Sequence, residues 1–142
     1  MEHNRLFCLG TLMQGFQNHY KLGIKDQKFL GRAETLALGS MFCNIITKVS
    51  FRYEPKYPIK GEIYEVDPVL MGELDAFEQA EGYEREEIEV QMVENGEIVK
   101  VFVYTYNHMT PELRGTMAEE TSGDFREYAK GESEENRAKL YQ

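Results

Sequence analysis

A glutamate beside the apolar face of a predicted helix is the side chain in this sequence best suited to proton transfer. A helix start is predicted at Asp67, because aspartate caps a first turn and the proline after it suits the first helical position. Leu70, Leu74 and Phe77 then recur at helical spacing and form one apolar face. Glu78 lies about 80° from the centre of that face. A carboxylate placed there is partly buried, which raises its pKa towards the range of a general acid or base. A solvated glutamate at a helix end is the alternative interpretation.

A second candidate is the loop that follows the first apolar run. Residues 6–9 predict a short buried strand, and Gly10 predicts a tight turn after it. A glycine lets the backbone approach a ligand closely, and the consecutive amides of Gly10, Thr11 and Leu12 can bind an anion. An ordinary tight turn has the same residue pattern, so the loop alone does not define a site.

Other kinds of site find little support in the residue pattern. His3, His19 and His108 are far apart, and none pairs with a cysteine or another histidine at the spacing of metal ligands. The sequence therefore predicts no metal site. Residues 10–15 are not followed by Lys-Ser or Lys-Thr, which argues against a P-loop. Cys8 sits within an apolar run, where burial disfavours a nucleophilic thiolate.

The composition indicates a single acidic domain. The chain has 142 residues and a net charge of −9, which disfavours binding to nucleic acids or anionic membranes. Cys8 and Cys43 are too few for a disulfide framework and are expected to be reduced core residues. Glu2 and Arg5 precede a short apolar run, without a signal-peptide pattern or a segment long enough to span a bilayer. We therefore expect a cytoplasmic protein.

The order of the predicted elements favours an α+β fold, a small mixed β-barrel flanked by short helices. Further strands are expected over residues 28–42 with a break at Gly39 and 35–38 as the clearest part, 49–53, 59–66, 86–92 and 97–106. Asn-Gly at 95–96 predicts a hairpin between the last two. Helices are expected over residues 16–22 and after Ser122. Residues 1–131 are assigned to the domain and 132–142 to a charged tail.

Several short segments occur in the order of a known family's motifs. They are Phe-Cys-Leu-Gly-Thr-Leu-Met-Gln-Gly (7–15), Gly-Glu-Ile-Tyr-Glu-Val (61–66), Leu-Asp-Ala-Phe-Glu (74–78), Tyr-Glu-Arg (83–85) and Ser-Gly-Asp-Phe-Arg-Glu-Tyr (122–128). Together they resemble the gamma-glutamylcyclotransferase-like family. The resemblance implies a small β-barrel that releases 5-oxoproline from a small gamma-glutamyl substrate without a metal or cofactor. It also implies site residues: Glu78 as the acid and base, and Gly10, Thr11, Leu12, Tyr83 and Tyr104 around the substrate.

Two departures from the family pattern leave alternatives open. Leu9 stands where the family commonly has tyrosine, which also allows a non-catalytic domain that binds a small ligand in the same pocket. Alignment on Leu-Asp-x-Phe selects Glu78, whereas alignment on Glu-Gly before the tyrosine selects Glu81. We favour Glu78, because loops tolerate length changes best. The leaving group, a gamma-glutamyl-bound amino acid or amine, and the oligomeric state stay open.

Overall fold

The strands of the molecule form a closed barrel and a smaller sheet in the computed structural model, which describes residues 3–132 and 134–141. The strands are β1 (Arg5–Cys8), β2 (Lys28–Thr35), β3 (Ser40–Asn44), β4 (Ile46–Ser50), β5 (Lys60–Glu65), β6 (Glu84–Met92), β7 (Ile98–Thr105) and β8 (Ala118–Glu119). The barrel order is β1-β5-β2-β6-β7. Its neighbours are antiparallel, except that β1 and β7 close it in parallel where Leu6 pairs with Phe102. The predicted α+β barrel is confirmed.

A three-stranded antiparallel sheet lies beside the barrel in the order β4-β3-β8. It is joined to the barrel just after β7, where the amide N–H of Tyr106 donates to the carbonyl of Val49 at 2.8 Å. The strand expected at 49–53 ends earlier than predicted, at Ser50. The Ser50 hydroxyl accepts hydrogen bonds from the amides of Arg52 and Tyr53, and this local turn ends the extended backbone.

The helices of the described residues are short. They are α1 (Gln17–Lys21), α2 (Pro68–Ala80), α3 (Pro111–Arg114), α4 (Phe125–Lys130) and α5 (Glu134–Tyr141), with 3-10 turns at Gly10–Leu12 and Ile24–Asp26. Helix α2 begins as predicted, since the Asp67 carboxylate accepts the amide N–H of Val69 at 2.8 Å. Within residues 3–132 and 134–141, no helix is long and apolar enough to cross a membrane.

The buried face of α2 differs from the predicted one. Its buried side chains are Met71, Leu74 and Glu78, whereas Phe77 is 41% exposed. The predicted stripe through Leu70 and Phe77 is therefore wrong by about one residue. Both the predicted and the observed set of residues have helical spacing, so the sequence periodicity does not distinguish them. Contact with the barrel determines which set is buried. Glu78 consequently lies on the buried face itself rather than at its border.

Of the predicted strand residues 35–38, only Thr35 lies in a strand. Strand β2 ends at Thr35, and both Leu36 and Leu38 are about half exposed. The Thr35 hydroxyl donates to the carbonyl of Ala37 at 2.7 Å and accepts the amide N–H of Ile59 at 2.9 Å. These two bonds turn the chain away from the barrel directly after β2. The hairpin between β6 and β7 is present as predicted.

The C-terminal region is more helical than the sequence suggested. Helix α4 is capped by Asp124, which accepts the amide N–H of Arg126 at 2.9 Å, and not by Ser122 as predicted. The Ser122 hydroxyl instead accepts the amide N–H of Asp124. In α5, Leu140 is fully buried and the ring of Tyr141 stacks on Phe16. The tail boundary stays a prediction.

Three residues named in the sequence analysis or belonging to its tail segment, Glu2, Ser133 and Gln142, lie outside the described residues.

A buried ion pair fastens the C-terminal region to the barrel. The Glu62 side chain on β5 is 4% exposed, and its carboxylate lies 2.5 Å from the Arg126 guanidinium on α4. The same carboxylate accepts the amide N–H of Gln14 at 2.8 Å and the hydroxyl of Tyr64 at 3.1 Å. Arg126 also donates to the Gln14 carbonyl at 2.7 Å. The pair thus holds α4, β5 and the loop after β1 together.

Replacement of Arg126 by methionine is expected to lower the free energy of unfolding by about 3 kcal/mol, because it leaves the Glu62 charge buried and unpaired. The measurement is urea denaturation at neutral pH. Addition of Glu62→Gln to this variant should recover part of the loss. Lys130→Met on the same helix, which removes an exposed ion pair with Glu127, should change stability by less than about 0.5 kcal/mol. Equal losses in the Arg126 and Lys130 variants would contradict the role of the pair.

Candidate active site

A cavity of about 270 Å³ lies between the end of α2, the turn after β1 and strand β4. All six residues that the sequence analysis assigned to a site line it: Gly10, Thr11, Leu12, Glu78, Tyr83 and Tyr104. Leu9 and Glu81, the two positions that left alternatives open, line it as well. The fold therefore brings the predicted residues together, from three segments that are far apart in the sequence.

Glu78 is the buried carboxylate of this cavity. Its side chain is 8% exposed, and burial raises its pKa from 4.5 to about 7. The negative charge of Glu81 adds to the rise in pKa, and the positive charge of Lys48 opposes it. In the part of the chain that the structure describes, no group donates a hydrogen bond to the Glu78 carboxylate. Its oxygens are therefore available to a bound molecule.

The end of α2 places two glutamates at one cavity with different exposure. The amide N–H groups of Glu81 and Tyr83 both donate to the backbone carbonyl of Glu78, at 3.0 and 2.9 Å. Gly82 takes a φ of 89°, the left-handed conformation that commonly ends a helix. The chain reverses there, so that Tyr83 returns to the cavity wall while Glu81 stays exposed to solvent. Of the two carboxylates, that of Glu78 is the buried one.

The turn after β1 requires a glycine. Gly10 has a φ of 57°, and a Cβ placed on it would lie 2.6 Å from the hydroxyl oxygen of Thr47. The loop therefore packs directly against β4. The amide N–H of Leu12 donates to the Leu9 carbonyl at 3.2 Å, so the amides of Gly10 and Thr11 are the loop's candidates for binding a ligand.

The two predicted tyrosines hold the cavity walls together. The Tyr104 hydroxyl donates to the Asp75 carboxylate at 2.8 Å, one helical turn before Glu78. The Tyr83 hydroxyl donates to the Thr47 carbonyl at 2.7 Å and so links the end of α2 to β4. Burial raises the pKa of both phenols, and both therefore stay protonated donors. Their rings form the wall, while their hydroxyls are used within the protein.

Lys48 is a cavity residue that the sequence analysis missed. It lies on β4 and is only 8% exposed. Its ammonium nitrogen lies 3.7 Å from the ring centre of Tyr106 and 4.9 Å from that of Tyr83. Burial lowers the pKa of Lys48, and the charges of Glu81 and Glu78 oppose that change. A lone lysine in a short strand gives no sign of burial in the sequence, and only the packing of β4 reveals it.

Leu9 supplies an apolar part of the cavity wall. A Cβ placed on Gly61 would lie 2.8 Å from a methyl carbon of Leu9 and 2.9 Å from the ring of Phe7. The missing side chain at Gly61 thus makes room for both residues. Cys8, between them, is a free buried thiol whose pKa is raised by burial, which disfavours a nucleophilic role. Within residues 3–132 and 134–141, no three metal-binding side chains form a cluster.

Comparison with known proteins agrees with this geometry. The family model described as gamma-glutamyl cyclotransferase, AIG2-like, matches residues 6–127. The chain belongs to this family. The match extends from β1 through the first half of α4 and so includes the barrel, the predicted residues of the cavity and the Glu62–Arg126 pair.

Three relatives illustrate the relationship. A protein of Methanocaldococcus jannaschii, provisionally named a gamma-glutamylcyclotransferase, is 32% identical over 87% of this chain and 96% of its own length. The crystal structure of an AIG2-like protein from Mus musculus is 31% identical with a TM-score of 0.66, over 80% of this chain and 83% of that one. YkqA from Bacillus subtilis is 29% identical with a TM-score of 0.69 over 89% of this chain. The match spans only 41% of YkqA.

The raised pKa of Glu78 makes stability depend on pH. In the folded protein the carboxyl group binds its proton more tightly than in the unfolded chain, so folding stability falls as pH rises from 4.5 to about 7. The loss amounts to about 3 kcal/mol at pH 8 and less than about 1 kcal/mol at pH 5. Relative to wild type, Glu78→Gln should therefore gain stability between pH 5 and pH 8.

Urea denaturation of both proteins at the two pH values measures this gain. Any packing cost of the glutamine is the same at both pH values and cancels from the comparison. Glu73→Gln, which removes an exposed carboxylate from the same helix but outside the cavity, is the matched control, and its stability relative to wild type should be the same at both pH values. A stability difference between wild type and Glu78→Gln that does not vary with pH would contradict the burial of an ionisable Glu78.

Proposed function

We propose that this protein is a gamma-glutamyl cyclotransferase, an enzyme that releases 5-oxoproline from a gamma-glutamyl amino acid or amine. The observation that carries the proposal is the Glu78 carboxylate, buried at the cavity and with a pKa raised to about 7. A group with a pKa near neutrality can both take up and release a proton at physiological pH. Membership of the family supports the choice of reaction.

The reaction is an intramolecular acyl transfer. The neutral α-amino nitrogen of the gamma-glutamyl group attacks its own γ-carbonyl carbon, and a new nitrogen–carbon bond closes the five-membered ring. Ionised Glu78 accepts the proton that the attacking nitrogen loses. Protonated Glu78 then delivers this proton to the leaving nitrogen as the original amide bond breaks. The products are 5-oxoproline and a free amine, and Glu78 is ionised again.

The cavity serves this reaction mainly by holding one conformer of the substrate. Because the nucleophile and the carbonyl belong to one molecule, the protein need only hold the chain folded for attack. The amides of Gly10 and Thr11 are assigned to the substrate's α-carboxylate or to the oxyanion formed at the γ-carbon. The rings of Tyr83 and Tyr104 form walls of fixed position, because each hydroxyl is tied within the protein.

A second candidate function is a non-catalytic domain that binds a small ligand in the same cavity. Leu9 favours it, since this side chain adds an apolar wall at a position where the resemblance leads us to expect a tyrosine. Such a domain would bind a gamma-glutamyl compound without forming product. Its ligand affinity would be unaffected by Glu78→Gln, whereas an enzyme would lose turnover in that variant.

Release of 5-oxoproline is the direct test. We expect wild type to form it from at least one member of a panel of gamma-glutamyl amino acids, gamma-glutamyl-lysine and glutathione. Glu78→Gln should reduce kcat by about 100-fold or more, because the amide cannot accept or deliver the proton. Glu81→Gln should retain turnover, since Glu81 is the exposed carboxylate of the pair. No product from the whole panel would favour the binding domain, and loss only in Glu81→Gln would move the role to that residue.

The pH dependence of kcat/KM provides a second test. Activity requires ionised Glu78 and a neutral substrate α-amine at the start of the reaction. Divided by the fraction of substrate whose amine is neutral, kcat/KM should rise tenfold per pH unit below about pH 7 and level off above it. In Lys48→Met, the loss of a nearby positive charge should move this midpoint to higher pH. A midpoint near 4.5 in wild type would show a solvated carboxylate and contradict the assignment.

A further inference from the structure

The cavity contains a cationic side chain that the proposed reaction does not use. Lys48 lies in the wall, and its ammonium group lies against the rings of Tyr83 and Tyr106. Cation–π contacts with these rings hold the ammonium group in place. Both rings are themselves fixed, because the Tyr83 hydroxyl donates to the Thr47 carbonyl and the two rings pack edge to face at 5.5 Å. Lys48 is therefore a positioned cation rather than a mobile surface lysine.

The ammonium group has no close counter-ion inside the protein. Across residues 3–132 and 134–141, no carboxylate oxygen lies within 4.0 Å of it. Glu81 and Glu78 are the nearby acids, but Glu81 is exposed to water and Glu78 has a raised affinity for its proton. Burial of a charge is costly unless an opposite charge or hydrogen bonds compensate it. An anionic group of a bound molecule would compensate it here.

Lys48 and the glycine loop are separate parts of the cavity wall. The loop packs against the Thr47 side chain, whereas the Lys48 ammonium group lies against the two tyrosine rings. The amides of Gly10 and Thr11 are assigned to a negative charge of the gamma-glutamyl group itself. A second anion site in the same cavity matches a second negative charge on the substrate. A gamma-glutamyl amino acid has this second charge in the carboxylate of its leaving group, and a gamma-glutamyl alkylamine does not.

We propose that Lys48 binds the carboxylate of the leaving amino acid and so selects gamma-glutamyl amino acids over gamma-glutamyl amines. This inference rests on the proposed function and narrows its substrate class. Lys48 acts as a specificity residue, because it contacts the leaving group and takes no part in proton transfer. Two apolar side chains at the cavity, Ile46 and Phe77, are about half exposed and suit an apolar side chain on the leaving amino acid.

A pair of substrates that differ by one carboxylate isolates this contact. Gamma-glutamyl-leucine and gamma-glutamyl-3-methylbutylamine share the same amide and the same apolar side chain. Wild type should prefer the leucine compound by about 10- to 100-fold in kcat/KM, the range of a hydrogen bond to a charged group. In Lys48→Met the ratio of the two kcat/KM values should fall towards one. Any effect of the substitution on Glu78 alters both substrates alike and cancels from this ratio.

Three further variants make the result specific. Lys100→Met removes an exposed lysine on β7, outside the cavity, and should keep the wild-type ratio. Lys48→Arg keeps the positive charge and should retain part of the preference. If Lys48→Met melts below the assay temperature, Lys48→Gln takes its place. A wild-type ratio near one, or an unchanged ratio in Lys48→Met or Lys48→Gln, would overturn the inference while 5-oxoproline release still supported the proposed function.

If no turnover is observed, calorimetric measurement of ligand binding tests the Lys48 contact separately from the proposed function. Binding of both compounds to wild type and to Lys48→Met is measured without any need for product. One outcome is that no 5-oxoproline forms, and that wild type binds the leucine compound about 10-fold more tightly than the amine compound while Lys48→Met binds the two equally. In that case the proposed function fails and the Lys48 contact stands. Equal binding of the two compounds to wild type would overturn the Lys48 contact.

Discussion

Burial of the Glu78 carboxylate is the constraint on which the candidate site depends. Met71 and Leu74 fix α2 on the barrel, and Glu78 is the next residue on that buried face. The apolar contacts that stabilise the helix therefore also remove the carboxylate from water and raise its pKa. The glycine at 82 then reverses the chain and returns Tyr83 to the same wall. The packing of α2 on the barrel and the raised pKa of Glu78 therefore have a common origin.

The cavity and the barrel each contain a buried carboxylate, and the free-energy cost of burying the charge is offset differently in the two. Glu62 is compensated by the Arg126 guanidinium, an amide and a hydroxyl, and it connects three segments of the chain. Glu78 has no comparable set of donors among residues 3–132 and 134–141, and its proton is held more tightly instead. A carboxylate whose oxygens are bound by several donors within the protein suits a structural role. One whose proton affinity lies near neutrality suits a reaction that moves a proton.

The sequence predicted features that depend on neighbouring residues. It was ambiguous where contacts between distant segments determine the structure. Neighbouring residues determine the Asp67 cap, the hairpin and the glycine loop after β1, and all three were predicted. Two adjacent stripes of α2 have the same period, so only the barrel could select the one that contains Glu78. The turn made by Thr35 and the burial of Lys48 depend on partners far along the chain. The order of the motifs predicted which residues belong to the site. It could not predict which of these residues contact one another.

In the proposed function, a chain with a net charge of −9 binds an anionic substrate against its own field. A proton on Glu78 removes one local negative charge when the substrate enters, whereas the reaction needs the ionised form. A pKa of about 7 lets both forms exist at neutral pH. Lys48 contributes to both requirements, since its charge attracts a carboxylate and opposes any further rise in the pKa of Glu78. In the proposed mechanism, a neutral residue at position 48 would weaken substrate binding and would also hold Glu78 in its protonated form at higher pH.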